Sequence, residues 1–80
     1  MKKCPWGKID AFQSISEFNR FVAWMNEQVI ANDASETFVK QRYAGASTLD
    51  EKWFTHIDSG EVWRLVRPDP PFAGVFEPTR

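Results

Sequence analysis

The chain holds a single cysteine and a single histidine. One cysteine excludes an intramolecular disulfide, and one cysteine with one histidine falls short of the four ligands of a structural zinc site. Charge of one sign is also lacking: ten Lys and Arg stand against eleven Asp and Glu. A nucleic-acid binder usually carries a basic stripe, and a mimic of DNA a large acidic excess. Neither is present. The start Met1-Lys2-Lys3-Cys4-Pro5-Trp6-Gly7 has the lysines of a signal peptide without the apolar run that would follow, and no segment is long enough to span a bilayer. The expectation is a cytoplasmic protein with a reduced thiol. Gly-rich phosphate loops and nucleotide fingerprints are missing too.

What is abundant is aromatic surface: four Trp, seven Phe and one Tyr in 80 residues. A domain this small buries only about 60% of the surface its unfolded chain exposes. Large aromatic side chains offset that deficit because each buries a large area. One domain over residues 1–80 is expected, with no internal repeat.

Ser14-Ile15-Ser16-Glu17 has the spacing of a capping box, in which Ser14 accepts from an early backbone N–H and Glu17 reaches back to the Ser14 N–H. A helix is predicted from there to about Ala31, stopped at Asn32-Asp33-Ala34-Ser35. At about 100° per residue, Ile15, Phe18, Val22, Met25 and Val29 form one stripe, with Phe21 on its edge. Trp24 falls roughly 135° from the stripe centre, beside Glu17, Arg20 and Gln28. It either packs under a loop or the C-terminal tail, or serves as an exposed anchor for a partner.

Shorter segments read as strands. Lys8–Phe12 is a candidate first strand with Ile9 and Phe12 inward. Glu36–Tyr43 is a second, with Phe38 and Tyr43 as buried candidates, and Ala44–Thr48 follows as a loop of small residues. Thr48–Glu51 reads as a turn. The clearest β signal is a hairpin closed by Asp58-Ser59-Gly60 as a three-residue loop. That register sets Ile57 opposite Glu61, Thr55 opposite Trp63 and Trp53 opposite Leu65. Alternation then gives one face Trp53, Thr55, Ile57, Trp63 and Leu65, and the other Phe54, His56, Val62, Arg64 and Val66. The first face is expected to receive the helix. The second is expected to be covered by the segment Pro68–Phe76, anchored by Phe72 and Phe76, or to remain open. Ala73–Phe76 is a candidate edge strand.

The fold class expected is α+β: one amphipathic helix on a small antiparallel sheet of three to four strands, with a Pro-rich C-terminal tail. Catalysis has no positive sign. Cys4 and His56 carry no family spacing, and the carboxylates at Asp50, Glu51 and Asp69 sit in turns, where acidic residues are ordinary. No catalytic residue, metal or cofactor is expected. Aromatics without a catalytic set point to binding, and a protein partner is the first expectation. The candidate interface is Trp24, Glu27, Phe54, His56, Asp58, Glu61, Val62 and Arg64. Two alternatives stand beside it. One is a regulatory or single-stranded nucleic-acid-binding protein using Phe54, Arg64, Arg67 and Lys52 as a stacking platform. The other is a homodimer that buries the open sheet face.

The ending Trp63-Arg64-Leu65-Val66-Arg67-Pro68-Asp69-Pro70-Pro71-Phe72-Ala73-Gly74-Val75-Phe76, with Lys52-Trp53-Phe54 before it and Cys4–Gly7 at the start, resembles a group of small bacterial proteins. Some proteins of this size and make-up are immunity proteins, encoded beside polymorphic or contact-dependent growth-inhibition toxins. The resemblance implies a cytoplasmic protein that binds one toxin domain and blocks its active site. It carries over no family-defined binding residues.

Overall fold

The computed structural model describes residues 4–40 and 50–79. The elements run α1 (Ile15–Ile30), β1 (Ala34–Thr37), β2 (Glu51–His56), β3 (Val62–Val66) and β4 (Val75–Pro78). All neighbouring strands are antiparallel, and their order across the sheet is the order along the chain. The helix packs on one face of this four-stranded sheet, so the architecture is α+β. Among the described residues, no helix is long and apolar enough to cross a membrane.

Both ends of α1 are set by local chemistry. The Ser14 hydroxyl accepts from the Glu17 N–H at 3.1 Å. The reciprocal arm differs from the predicted box: the Glu17 carboxylate takes the Gln13 N–H rather than that of Ser14. At the other end Asn32 adopts φ 63°. Its N–H bonds the Val29 carbonyl, and the Asp33 N–H bonds that of Gln28. This is a Schellman closure with Asn in the left-handed position that glycine usually takes. Phe18 and Met25 are buried, and Phe21, Val22 and Val29 pack beside them as the stripe requires; Ile15, at the first turn, is exposed.

The hairpin differs from its predicted register by one residue. Observed partners are Phe54 with Trp63, Trp53 with Arg64 and Thr55 with Val62. The His56 N–H bonds the Glu61 carbonyl and the Gly60 N–H bonds that of His56, which puts Ile57 into the connection. Ile57 instead gives its N–H to the Asp33 carbonyl. A one-residue slip turns a whole strand over. Trp63 and Leu65 face the helix as expected, but β2 is inverted. Phe54 (4% exposed) and His56 (7%) lie on the helix side, and Trp53 and Thr55 lie on the reverse.

Four further expectations are corrected. Of the strand predicted over Glu36–Tyr43 only Glu36 and Thr37 fall in β1, residues 38–40 carry no strand, and Phe38 is 91% exposed rather than buried. Tyr43 and the Ala44–Thr48 loop fall outside the described residues, while Glu51 opens β2 rather than closing a turn. The Lys8–Phe12 segment forms one bridge, Ile9 with Phe76, and a bond from the Phe12 N–H to the Ala73 carbonyl, short of a strand. Phe76 does not fold across the reverse face. It sits in β4 opposite Leu65 and joins Trp6, Phe12, Phe18, Met25, Ala34, Phe54, Trp63 and Leu65 in one core. Full burial of a side chain such as Phe76 or Met25 contributes about 1.5–3 kcal/mol.

The reverse face is nonetheless well buried. Val66, Val75 and Trp53 are among the buried residues, and so is the Glu51 carboxylate. The Trp53 indole N–H donates to Glu51 Oε2 at 2.7 Å. The Arg64 guanidinium lies 5.6 Å from the Trp53 ring centroid. Its Nε is 3.9 Å from Glu51 Oε2 and 4.0 Å from Glu77 Oε2. Thr37 and Thr55 share a hydroxyl hydrogen bond of 2.6 Å.

Candidate functional site

Two hollows compete for attention. The larger, about 770 Å3, lies on the reverse sheet face over Trp53, Val62 and Arg64, with Thr37 and Lys40 on its rim. Its aromatic floor and its arginine are already committed to Glu51 and Glu77. Such a desolvated ionic network serves packing and specificity of the fold before it serves a ligand.

The second, about 460 Å3, lies at one end of the molecule. Three parts of the chain meet there. The last turns of α1 bring Trp24 and Gln28. The Schellman turn brings Asp33. The β2–β3 connection brings His56 and Asp58, and the N-terminal segment lays Pro5, Trp6 and Gly7 against them. The bond from the Ile57 N–H to the Asp33 carbonyl ties the hairpin end to the helix end.

Aromatic contacts set the walls. The rings of Trp6 and Trp24 meet edge-on at 6.5 Å and 74°. Trp6 meets His56 at 5.0 Å and 76°, and Phe21 backs Trp24 at 5.4 Å. Trp24 is therefore neither core nor fully free. It leans on the N-terminal segment, not on the C-terminal tail, and remains 38% exposed. Ile57 (49% exposed) and Ile30 (82%) flank the same end.

Electrostatics at this end are one-sided. Between Trp24 and Ala34, and between His56 and Glu61, the chain carries Glu27, Asp33, Asp58 and Glu61 but no Lys or Arg. Helices ordinarily favour cations at their C-termini because the terminal carbonyls carry partial negative charge. The last turn of α1 has none. The arrangement adds carboxylates where the backbone already disfavours them.

Below the hollow a small hydrogen-bond cluster locks the hairpin end. His56 Nδ1 lies 2.8 Å from Ser59 Oγ and accepts the Ser59 backbone N–H at 3.3 Å. Ser59 Oγ also accepts the Glu61 N–H. Cys4 lies close enough to this cluster for Ser59 and Glu61 to bear on its thiol. Burial pushes the Cys4 thiol above its ordinary range and the Glu61 carboxylate adds to this, while hydrogen bonds from Trp6 and Ser59 oppose it. A thiol held protonated is a poor nucleophile. The fold thus brings Cys4 and His56 to one place, but as part of a structural clasp. Among the described residues, no group of three or more His, Cys, Asp or Glu is placed to hold a metal ion.

Of the predicted interface residues, Trp24, Glu27, Asp58 and Glu61 are exposed, and Val62 and Arg64 are half-buried. Phe54 lies under the helix and cannot meet a partner; His56 is buried with its ring on the hollow's wall. Trp24, His56 and Asp58 are brought together. Trp6, Gln28, Asp33, Ile30 and Ile57 belong with them and were not among the candidates. The helix end that lacks a base was the signal in the sequence that pointed there. No family model, curated protein or solved structure matches this chain.

Proposed function

We propose that this chain is a protein-binding module that docks through the end of the molecule carrying Trp24, Ile30 and Ile57. The observation that carries this reading is the combination there of exposed apolar side chains with carboxylates and, among the described residues that line its hollow, no Lys or Arg. Trp at the centre of such a surface is a frequent hot spot, and a surrounding ring of one charge orients and accelerates encounter with a partner of the opposite sign. The partner is a protein with a basic, partly apolar surface.

The specific form of this proposal is immunity: the chain occludes the active site of a bacterial toxin domain. The C-terminal third resembles a group of small bacterial proteins, some proteins of this size and make-up are immunity proteins, and occlusion needs no chemistry from this chain. A stacking platform for nucleic acid has less support, because Phe54 is buried and Arg64 lies between two carboxylates.

The test is rescue of cells from the toxin encoded beside this gene. Wild-type chain should restore growth, and Trp24→Ala and Ile57→Asp should each weaken binding by about 2 kcal/mol or more. Failure of the wild-type chain to rescue would falsify the immunity reading. Full binding by both variants would move the surface elsewhere.

A further inference from the structure

We propose that the hollow walled by Trp6, Trp24 and His56 is a socket for an organic cation, filled by an arginine side chain of the protein partner. The inference rests on the docking function above and names the chemistry of its anchor.

The walls argue for a cation. Two indole rings stand at 74° to one another, with the imidazole of His56 at 76° to Trp6. Indole faces attract a cation within about 6 Å of the ring centroid. Asp33 and Asp58 also line the hollow, and no Lys or Arg does. The Asp33 carboxylate makes no hydrogen bond or ion pair with a described residue, while its backbone is fully used by Gln28 and Ile57. The C-terminal pole of α1, with no base in its last turn, lies beside it. The two carboxylates that line the hollow and the helix terminus beside it are all of negative sign.

A donor adds to this. The indole N–H groups of Trp53 and Trp63 each bond a carboxylate, of Glu51 and Glu61. That of Trp6 bonds no described residue, although Trp6 is a buried side chain lining the hollow. Its nitrogen is not among the buried polar atoms that lack a partner, so it keeps contact with solvent, and an indole N–H so placed can donate to a ligand. A peptide ligand supplies an acceptor: its cationic head meets the Asp33 carboxylate while a backbone carbonyl accepts from Trp6. The reverse-face hollow, though larger, fails the same test because Arg64 and Lys40 line it.

Arginine is preferred to lysine. Guanidinium is weakly hydrated, stacks on aromatic planes, and presents a fork of donors that suits a carboxylate. A single such contact is weak by itself, with a dissociation constant on the order of millimolar.

The experiment uses the full chain with N-acetyl-arginine amide, N-acetyl-lysine amide and the neutral isostere N-acetyl-citrulline amide. The readout is the set of indole N–H resonances. The arginine amide should shift Trp6 and Trp24 saturably and leave Trp53 unmoved. The lysine amide should bind more weakly and citrulline amide at least about tenfold more weakly than arginine. Trp24→Ala should lower the affinity about fivefold with only a small fall in the urea midpoint, and Asp33→Asn should lower it as well with an unchanged midpoint. Equal shifts with citrulline amide, absence of saturation, or an unaltered affinity in both variants overturns the socket. Saturation by the arginine amide in a protein that fails the rescue test keeps the socket and sinks the immunity reading. Rescue by a protein that the amide never saturates does the reverse.

Discussion

Gly74 and Gly60 both take positive φ, but their surroundings differ. At Gly74 (φ 82°) an added Cβ would meet the Val66 carbonyl at 2.8 Å and the Pro68 ring at 2.9 Å, both of them backbone or ring atoms with little freedom. At Gly60 (φ 75°) the space is open. Gly60→Ala should therefore cost only the left-handed penalty of about 1–2 kcal/mol. Gly74→Ala should cost about 2–4 kcal/mol, since overpacking adds to it; comparison of urea midpoints checks the difference. Cys4 supplies a pH-dependent prediction. Its pKa in the folded state is displaced upward by burial, so folding favours the neutral thiol. Any stability this contributes is present below the ordinary thiol range and is lost as pH rises through it. Alkylation by iodoacetamide at neutral pH should be slower in the folded chain than in urea, and the gap should close as the pH is raised.

At the level of elements, the turns decide more than the strands. The helix is legible because capping and periodicity agree: Ser14, the Phe18–Val22–Met25–Val29 stripe and the stop at Asn32 all mark the same segment. Asn32 is the least favourable residue in its closure, as it holds a left-handed φ that glycine adopts without strain. Asn32→Gly should leave stability unchanged or raise it by about 0.5 kcal/mol, and Asn32→Val should lower it by about 1–2 kcal/mol, measured by chemical denaturation. The hairpin was legible in existence and in the left-handed Gly60, but not in register. Three-residue and four-residue connections both fit Ile57-Asp58-Ser59-Gly60, and hydrophobicity does not choose between faces when Trp53 and Phe54 are adjacent. The clasp of Ser59 on His56 and the bond from Ile57 to Asp33 choose.

Over the whole molecule, the contrast between neighbours on α1 separates core from surface. Met25 is fully buried, and Met25→Ala should cost about 2–5 kcal/mol. Trp24 keeps part of its ring in water and loses only edge contacts with Trp6 and Phe21, so Trp24→Ala should cost about 1 kcal/mol. Calorimetry on the pair distinguishes the two roles: a Trp24→Ala loss equal to that of Met25→Ala would make Trp24 a core residue and remove it from the proposed surface. The charges, nearly balanced in total, are unevenly placed. The end around Trp24 holds Glu27, Asp33, Asp58 and Glu61, which leaves the basic excess to the remainder of the chain.

By itself the sequence determined what depends on local pattern. The helix, its caps, the α+β class and an aromatic core follow from spacing and composition, because each is settled within a few residues or by the sum of apolar area. Only the tertiary structure decided which face of β2 meets the helix, that Phe76 enters the core as part of β4, and that Trp6 leans on Trp24. The reason is physical. These outcomes depend on one-residue differences in pairing and on contacts between residues distant in the chain, such as Ile57 with Asp33 and Ile9 with Phe76. Phe54 and Trp53 are nearly equivalent as hydrophobes, and such contacts alone give them opposite fates.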